Sequence, residues 1–554
     1  MKLFKNTKIS FVIIAISLIS SLFVIYREQL LNGFSLISGD SYDYVISTSI
    51  LEHWFNVFKG LSEWNQTNYY YPYPNTIAQT DAYFIVSLIY SLIRLFGIEP
   101  FLSAELSGAG LKILGFISII LFFSKFLRLP LGWVLVGSVL FIINNAMVSH
   151  SSRLQLATVA VAPLLTFFMC KAIAYLELEN IKKFVLYGFL FGALFGAWCM
   201  TCFYMAWFWV YFYLVFTIVF FIVNYNKVIK SLSVIITSPK NLIAIFLVIF
   251  FCVICLMPFL YAFYPKSREV SLRTYEMVLS NAIPIYDVMQ LGVNNYIFGE
   301  GYNKLILSLN SNYVIASEYY NTGMTPILFF VFLFSFKFYY VSRHKSMIHM
   351  FLYVTYLATF ITWATLIKVD GYSLWYFVYS LVPGAKALNA ISTYQIFLAF
   401  PVVTLVVYYL SSLRINRTIL SLIVMFAFIA ELSPANLRFQ RLDEIHKIDI
   451  PSNPPTECKV FYILGWENIK NKDEYPSWVN DMYAHNVTAM FIAEKVNIPT
   501  INGIASYNMP DWNFASPELA NYKERIYQYA TNHNIKSLCS FNPNNKQWLV
   551  DDIE

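Results

Sequence analysis

Charge is scarce in this 554-residue chain. Only 13% of its residues are Asp, Glu, Lys or Arg, about half the share usual in water-soluble domains. With 58% of residues hydrophobic, there are too few charged groups to clothe a globule, which excludes a soluble enzyme and leaves a polytopic membrane protein. The formal charge of +6 is spread as single Lys and Arg between apolar runs, so there is no basic face for nucleic acid. Soluble-enzyme signatures are missing too: no Gly-rich phosphate loop, no HExxH, no GxSxG, and seven scattered histidines without zinc spacing. Neither an internal repeat nor a low-complexity tract is present. Whatever chemistry the chain performs has to come from polar residues gathered at the ends of membrane spans.

Lys2, Lys5 and Lys8 precede an apolar run from about Ile9 to Tyr26, long enough to cross a hydrocarbon core of about 30 Å. No small-x-small cleavage site follows, and Arg27 closes the run, so it reads as a retained span and not a signal peptide, with the amino terminus cytoplasmic. Further runs lie near 105–124, 131–148, 154–176, 184–201, 203–223, 241–262, 322–341, 347–367, 393–411 and 418–433. The expected fold is therefore membrane all-α, with about eleven transmembrane helices, amino terminus in and carboxyl terminus out. This count puts Lys125, Arg128, Lys182, Lys183, Lys227, Lys230, Lys240, Arg343, Lys345, Arg414 and Arg417 on the cytoplasmic side, as the positive-inside rule requires. One more full crossing would break the pattern. Thr80 to Gly97 is thus expected to be a juxtamembrane or re-entrant outer helix with Arg94 reaching the interface, and 374–392, broken by Pro383-Gly384, is expected not to cross.

The domain plan is a membrane domain, 1–433, with outer loops 27–104 and 264–321, followed by an extracytoplasmic domain, 434–554. Pro434 to Pro455 reads as a linker. Cys458 to Gly465 and Lys536 to Phe541 read as strands, and Ser477 to Val496 and Ser516 to Asn532 as helices, which together make a small α/β domain. Of the seven cysteines, the CxxC pairs Cys199/Cys202 and Cys252/Cys255 lie in apolar helices and behave as small hydrophobes. Cys458 and Cys539 both fall in the external domain, where a disulfide persists, and are expected to pair.

The chemistry-bearing stretch is Gly39-Asp40-Ser41-Tyr42-Asp43. Two carboxylates three residues apart at the start of a helix share one face. They either push one pKa up or recruit a basic substrate group or a divalent cation, the only cofactor the sequence suggests, with Asp40 and Asp43 as its ligands. A second reading makes Asp40 the N-cap and Asp43 the acid of a capping box. Tyr69 to Pro74 is either a sugar-stacking surface or an interfacial aromatic belt, and Asp81 is either a site acid or a helix-start acid. Arg153, in the turn Ser149 to Gln155, is an outer cation suited to phosphate or to lipid headgroups.

Taken in order, Gly39-Asp40-Ser41-Tyr42-Asp43, Tyr71-Pro72-Tyr73-Pro74, Thr80-Asp81, Gly97-Ile98-Glu99-Pro100, His150, Gln155 and Pro163-Leu164 resemble a bacterial member of the glycosyltransferase C superfamily. Glu318 to Gly323 and Pro383 to Ala387 are looser matches, and where the family pattern continues with two Arg this chain has Asn389 and Thr393. The tail run Ile498 to Gly503, with Pro510 and Trp512, resembles an external segment attached to such membrane halves.

The resemblance implies an integral enzyme of the bacterial inner membrane with an extracytoplasmic active face. It would move a sugar from a polyprenyl-phosphate-linked donor to a glycan, lipid or protein acceptor. Asp43, with Asp40 second, would be the catalytic base or metal ligand; Asp81, His150, Arg153, Gln155, Glu318 and Lys386 would bind substrate; and Arg268 and Arg273 would cover the site. A flippase or exporter of lipid-linked glycans, or a scaffold that binds them, is the competing expectation. A flippase would want charges deep in the spans along a path, and most spans have none.

Overall fold

The computed structural model describes residues 7–269, 272–313, 321–435, 437–448, 453–465, 477–506, 508–517 and 521–551. Among these, nine helices are long and apolar enough to cross a membrane: Lys8–Ile25, Pro100–Leu127, Leu131–Ser149, Leu154–Glu177, Ile181–Cys199, Phe203–Val223, Pro239–Glu269, Met347–Leu366 and Ile391–Ser412. The two other expected spans are shorter apolar helices, Pro326–Ser342 and Arg417–Ala430. The former is interrupted at Ser335, where Pro326–Phe334 gives way to Phe336–Ser342. Residues 80–97 carry only the short helix Phe84–Arg94, and 374–392 carry Trp375–Leu381 and two brief turns, so neither segment makes a full crossing.

Burial sorts these helices. Ile391–Ser412 is buried along nearly its whole length, whereas Pro239–Glu269 buries only Asn241, Ala244, Ala262 and Lys266 and presents its apolar side chains outward, as a helix at the lipid edge does. It is held by Ile181–Cys199, which carries Gly188, Gly192 and Gly196 one turn apart. A Cβ at Gly196 would overlap the Cys255 carbonyl, and one at Gly192 would lie 2.8 Å from Cys252 Sγ. Small residues at this spacing let two membrane helices approach closely, and Cys252 and Cys255 are the packing partners.

The tail contains the strand Val460–Ile463 parallel to Leu538–Asn542, with Gln547–Val550 antiparallel on the far side, and the helices Ser477–Val496 and Tyr522–Asn532. A Cys458–Cys539 disulfide ties the strand entrance to its neighbour. Part of the stretch read as a linker is structured instead. Leu437–Gln440 pairs antiparallel with Leu36–Ser38, because the buried Ile37 and Phe439 are cross-strand partners there. Further along, Tyr70 and Tyr71 N–H donate to Asn502 and Thr500 carbonyls (3.0 Å each), and Ile501 N–H donates to Phe461 O at 3.1 Å. Residues 68–71 thereby extend the tail's pairing by one more strand-like segment.

Tyr69 and Tyr70 are consequently 0% exposed, and Tyr70 stands edge-on to Trp512 at 5.5 Å. They form neither a belt nor a sugar platform. Arg94 also departs from expectation: it does not reach toward lipid headgroups but makes a two-pronged ion pair with Glu52 (2.8 and 3.0 Å), because that carboxylate lies within its reach on helix Asp43–Phe58.

Candidate functional site: two cavities meeting at Asp81

Between the bundle and the tail lies a polar chamber of about 290 Å³, whose walls include Asp43, Asp81, Arg153, Gln155, Thr393 and Tyr483. Asp43 is the first residue of its helix, with Tyr42 as the N-cap. The capping box is therefore not formed: Asp40 lies ahead of the cap and its carboxylate accepts from Tyr42 N–H (2.9 Å), an Asx-type turn. Asp40 is not among the chamber-lining residues. The turn needs Gly39, whose φ is +114° and whose missing Cβ leaves room for the Tyr44 ring. Ser41 Oγ donates to Glu444 in the tail (2.8 Å), and Tyr42 meets Tyr483 edge-on at 6.0 Å. The acid loop is thus strung between the Leu36–Ser38 pairing and these contacts.

Asp81 is placed by the turn between two spans. Tyr83 N–H donates to Thr201 O (3.1 Å) and Phe84 N–H to Met200 O (3.4 Å), while Thr201 Oγ1 accepts from Ile85 N–H (2.8 Å) and so caps helix Phe84–Arg94. Thr201, and not Asp81, therefore satisfies the start of this helix. Burial pushes the Asp81 carboxyl up to about 7, opposed by the Phe203 backbone N–H and the Cys202 thiol. Cys202 is thereby more than a packing hydrophobe.

Arg153 and Gln155 both face the chamber. The Gln155 Oε1 is buried with no hydrogen-bond partner among the described residues, an acceptor that a ligand hydroxyl would satisfy. His150 does not face it: the ring is buried, with Nδ1 2.9 Å from Ala146 O. Burial, helped by Arg153 and Lys112, lowers its pKa to about 4, so it is neutral at pH 7 and is no cation for phosphate. Glu318 lies outside the described residues.

An apolar groove of about 340 Å³ opens from the same place. It shares Thr80, Asp81, Tyr204 and Ser506 with the chamber. Phe203, Phe259 and Phe263 give it greasy walls, and Lys266, Arg273 and Lys386 give it cations. Gly384, at φ +83°, brings the Pro383–Ala387 turn against Trp207, whose Nε1 donates to Pro383 O (2.9 Å). Arg273 N–H donates to Lys386 O (3.3 Å), the Tyr379 hydroxyl donates to Arg273 O (2.7 Å), and Lys386 Nζ lies 5.5 Å from the Tyr379 ring centre. Arg268 lines neither cavity; it stacks on Tyr264.

Asn389 and Thr393 divide. Thr393 faces the chamber, while Asn389 N–H donates to the Tyr204 hydroxyl (2.7 Å) and its side chain is not among the lining residues. Among the described residues, no three His, Cys, Asp or Glu side chains converge as a metal cage would.

Sequence reasoning missed Lys266, Tyr204, Tyr483 and Ser506. Lys266 had a signal: a lysine near the end of a long apolar helix, beside Pro265 and three residues before Glu269. The others are reachable only through contacts between distant parts of the chain.

No known family profile and no curated protein sequence matches this chain. Among solved structures, it is similar to the oligosaccharyltransferase of Archaeoglobus fulgidus in the apo form (TM-score 0.47, 11% identity, covering 98% of this chain and 70% of that one). It is also similar to the archaeal oligosaccharyltransferase AglB from Archaeoglobus fulgidus in complex with an inhibitory peptide and a dolichol-phosphate (TM-score 0.46, 12% identity, 95% and 69%). At these scores neither structure says anything about the site.

Proposed function

We propose that the protein is a membrane glycosyltransferase that moves a sugar from a polyprenyl-phosphate-linked donor to a glycan, lipid or protein acceptor on the outer face of a bacterial cytoplasmic membrane. The observation that carries this reading is the continuity of the two cavities at Asp81. A lipid-linked sugar needs an apolar channel for its chain, cations for its phosphate and a polar room for its ring, in that order along one path. The groove offers apolar walls and cations, and the chamber that joins it at Asp81 offers the polar room.

In the mechanism this implies, an acceptor hydroxyl in the chamber gives its proton to Asp43 or Asp81 as its oxygen attacks the anomeric carbon. The bond from that carbon to the phosphate oxygen breaks with inversion, and the electron pair leaves on the phosphate. Arg273 and Lys386 stabilise the developing charge. Burial keeps the Asp81 carboxyl near neutral pH in proton affinity, the range in which a general base works best. Gln155 and Thr393 would hold sugar hydroxyls. Arg153, on the acid side, would orient the carboxylates or the acceptor.

The flippase reading is weakened by what holds the charges inside the spans. Lys112 Nζ donates to Met147 O (2.8 Å), and Glu105 accepts from Gln29 and Ser38 (3.1 Å each). Both are anchors and do not form a track. The purified protein in nanodiscs, given radiolabelled polyprenyl-phosphate sugars and a crude glycan acceptor, should transfer label. Reorientation of the lipid without transfer would sink the proposal in favour of the flippase.

A further inference from the structure

Glu105 sits in the second turn of helix Pro100–Leu121 and is buried, yet the side chains that donate to it belong to other segments of the chain. Its Oε1 accepts from Gln29 Nε2 and from Ser38 Oγ, at 3.1 Å each. The Tyr44 hydroxyl donates to Phe101 O (3.3 Å) and reaches Glu105 Oε2 at 3.5 Å. Gln29, Ser38 and Tyr44 are buried as well. A carboxylate taken out of water is unfavourable unless several donors satisfy it, and here the donors are neutral and come from three separate elements.

Those donors flank the chamber residues. Ser38 ends the strand Leu36–Ser38 and leads directly into Gly39–Asp43, and Tyr44 follows Asp43, so one carboxylate grips the acid loop on both sides. Ser38 Oγ also accepts from Ser151 Oγ (3.3 Å), and Ser151 stands two residues before Arg153 and four before Gln155. The turn between them is held by Ser151 N–H to Val148 O (3.2 Å) and Arg153 N–H to His150 O (3.0 Å). Three residues beyond Glu105, Gly108 gives Leu154 room against the same helix, since a Cβ there would stand 3.3 Å from Leu154 Cδ2. Lys112, seven residues on, provides the contrast: its ammonium donates to Met147 O (2.8 Å), on the short helix Asn145–Ser149, and brackets no chamber residue.

We infer that Glu105 is a positioning residue for the chamber. It sets where Asp43 stands relative to Arg153 and Gln155, through Tyr44 and Ser38 on one side and the Ser38–Ser151 contact on the other. The inference rests on the glycosyl-transfer reading for the reaction that this spacing serves, and the coupling itself is measurable without that reading.

Hydrogen exchange on the full chain in nanodiscs reads the coupling. Ser38→Ala removes the hydroxyl that joins the two segments and leaves Glu105 in place. Exchange should quicken by about tenfold, the size of one buried hydrogen bond, in both 39–46 and 149–156, with 485–496 in the tail unchanged. Quickening confined to 39–46, or none at all, overturns the inference.

Transfer from a radiolabelled polyprenyl-phosphate sugar is the second readout. Glu105→Ala should lower kcat by about 10²-fold, as a misplaced reacting group does, with KM for the donor within about twofold. Glu105→Gln should recover to within about fivefold of the unmodified protein, because the amide oxygen still accepts from Gln29 and Ser38 and its NH₂ can donate to the Tyr44 hydroxyl. Because Glu105→Ala can fail to fold, Tyr44→Phe, which deletes one hydroxyl and keeps the ring, is the companion variant, expected to lower kcat by about tenfold at unchanged KM.

A Glu105 that serves folding alone would lower the yield of folded protein and leave kcat per folded molecule unchanged, which overturns the inference. So does a Glu105→Gln as damaging as Glu105→Ala. If the unmodified protein transfers no sugar, the glycosyl-transfer reading falls, and the exchange result alone upholds or overturns the positioning role.

Discussion

The chamber and the groove meet at one carboxylate yet are built from different material. Chamber residues come from separate segments: Asp43 beside the Leu36–Ser38 pairing with the tail, Asp81 against the Met200–Cys202 turn between two spans, and Tyr483 and Ser506 from the tail itself. Groove residues come from the ends of two membrane helices, the segment after one of them and the Pro383–Ala387 turn, with rings and cations among its walls. The chamber's acids are positioned by hydrogen bonds between distant segments, and the groove's apolar walls by membrane helices. Chemistry that depends on angles belongs in the first half, and holding a flexible lipid belongs in the second.

Asp43→Asn should separate the halves most sharply. Transfer should fall by a factor of about 10² to 10⁴, as when a general base is lost, while lipid binding to the groove stays within about twofold. Equal losses in both would mean that the two halves act as one.

Next in size is the clamp. Glu494, 0% exposed in its side chain, accepts from Asn68 N–H (2.8 Å) and from the Asn56 side chain (3.4 Å), with His53 Nδ1 3.6 Å away. Glu494→Ala leaves those donors buried, so a loss of about 2–4 kcal/mol is expected, read as a lower unfolding temperature in detergent together with lost transfer.

A third expectation concerns pH. The Asp81 pKa is raised by burial to about 7. If Asp81 is the base, it is protonated and inactive below that value, so the rate should fall as pH drops through 7. Asp81→Asn should remove this acid limb along with most activity. Because the folded pKa lies above the ordinary carboxylate value, the folded state holds the extra proton, and the stability it contributes is lost as pH rises from about 4 to 7. A rate profile flat from pH 5 to 8 would assign proton transfer elsewhere.

The smallest effect should come from Arg268→Ala. Although the sequence suggested a cover for the site, its guanidinium stacks on Tyr264 and donates to that hydroxyl at the surface, and a change within about 0.5 kcal/mol is expected.

Much of this architecture is legible in the sequence alone. Apolar runs define spans because a span has to be apolar throughout, and the tail helix Ser477–Val496 follows from its pattern. Asp43, Asp81, Arg153, Gln155 and Lys386 stand out by their order along the chain. Positions decided by distant pairing are not legible. Tyr69 and Tyr70 look interfacial until Thr500–Asn502 hydrogen-bonds alongside them, and Leu437–Gln440 is sheet despite its linker-like surroundings because Ile37 and Phe439 bury each other. His150 reads as a polar site residue, yet the fold turns its ring inward. The Gly188, Gly192, Gly196 series is a packing signal whose partner, the Cys252–Cys255 turn, emerges only when the two helices are seen side by side.

The most direct test is a cryo-electron microscopy structure of the full chain in nanodiscs with a non-transferable analogue of a polyprenyl-phosphate-linked sugar. The phosphate should lie against Arg273 and Lys386, with the sugar ring passing Asp81 into the chamber toward Asp43. Phosphates bound at Arg153, or a lipid seated away from the groove altogether, would contradict the claim that the two cavities form one path.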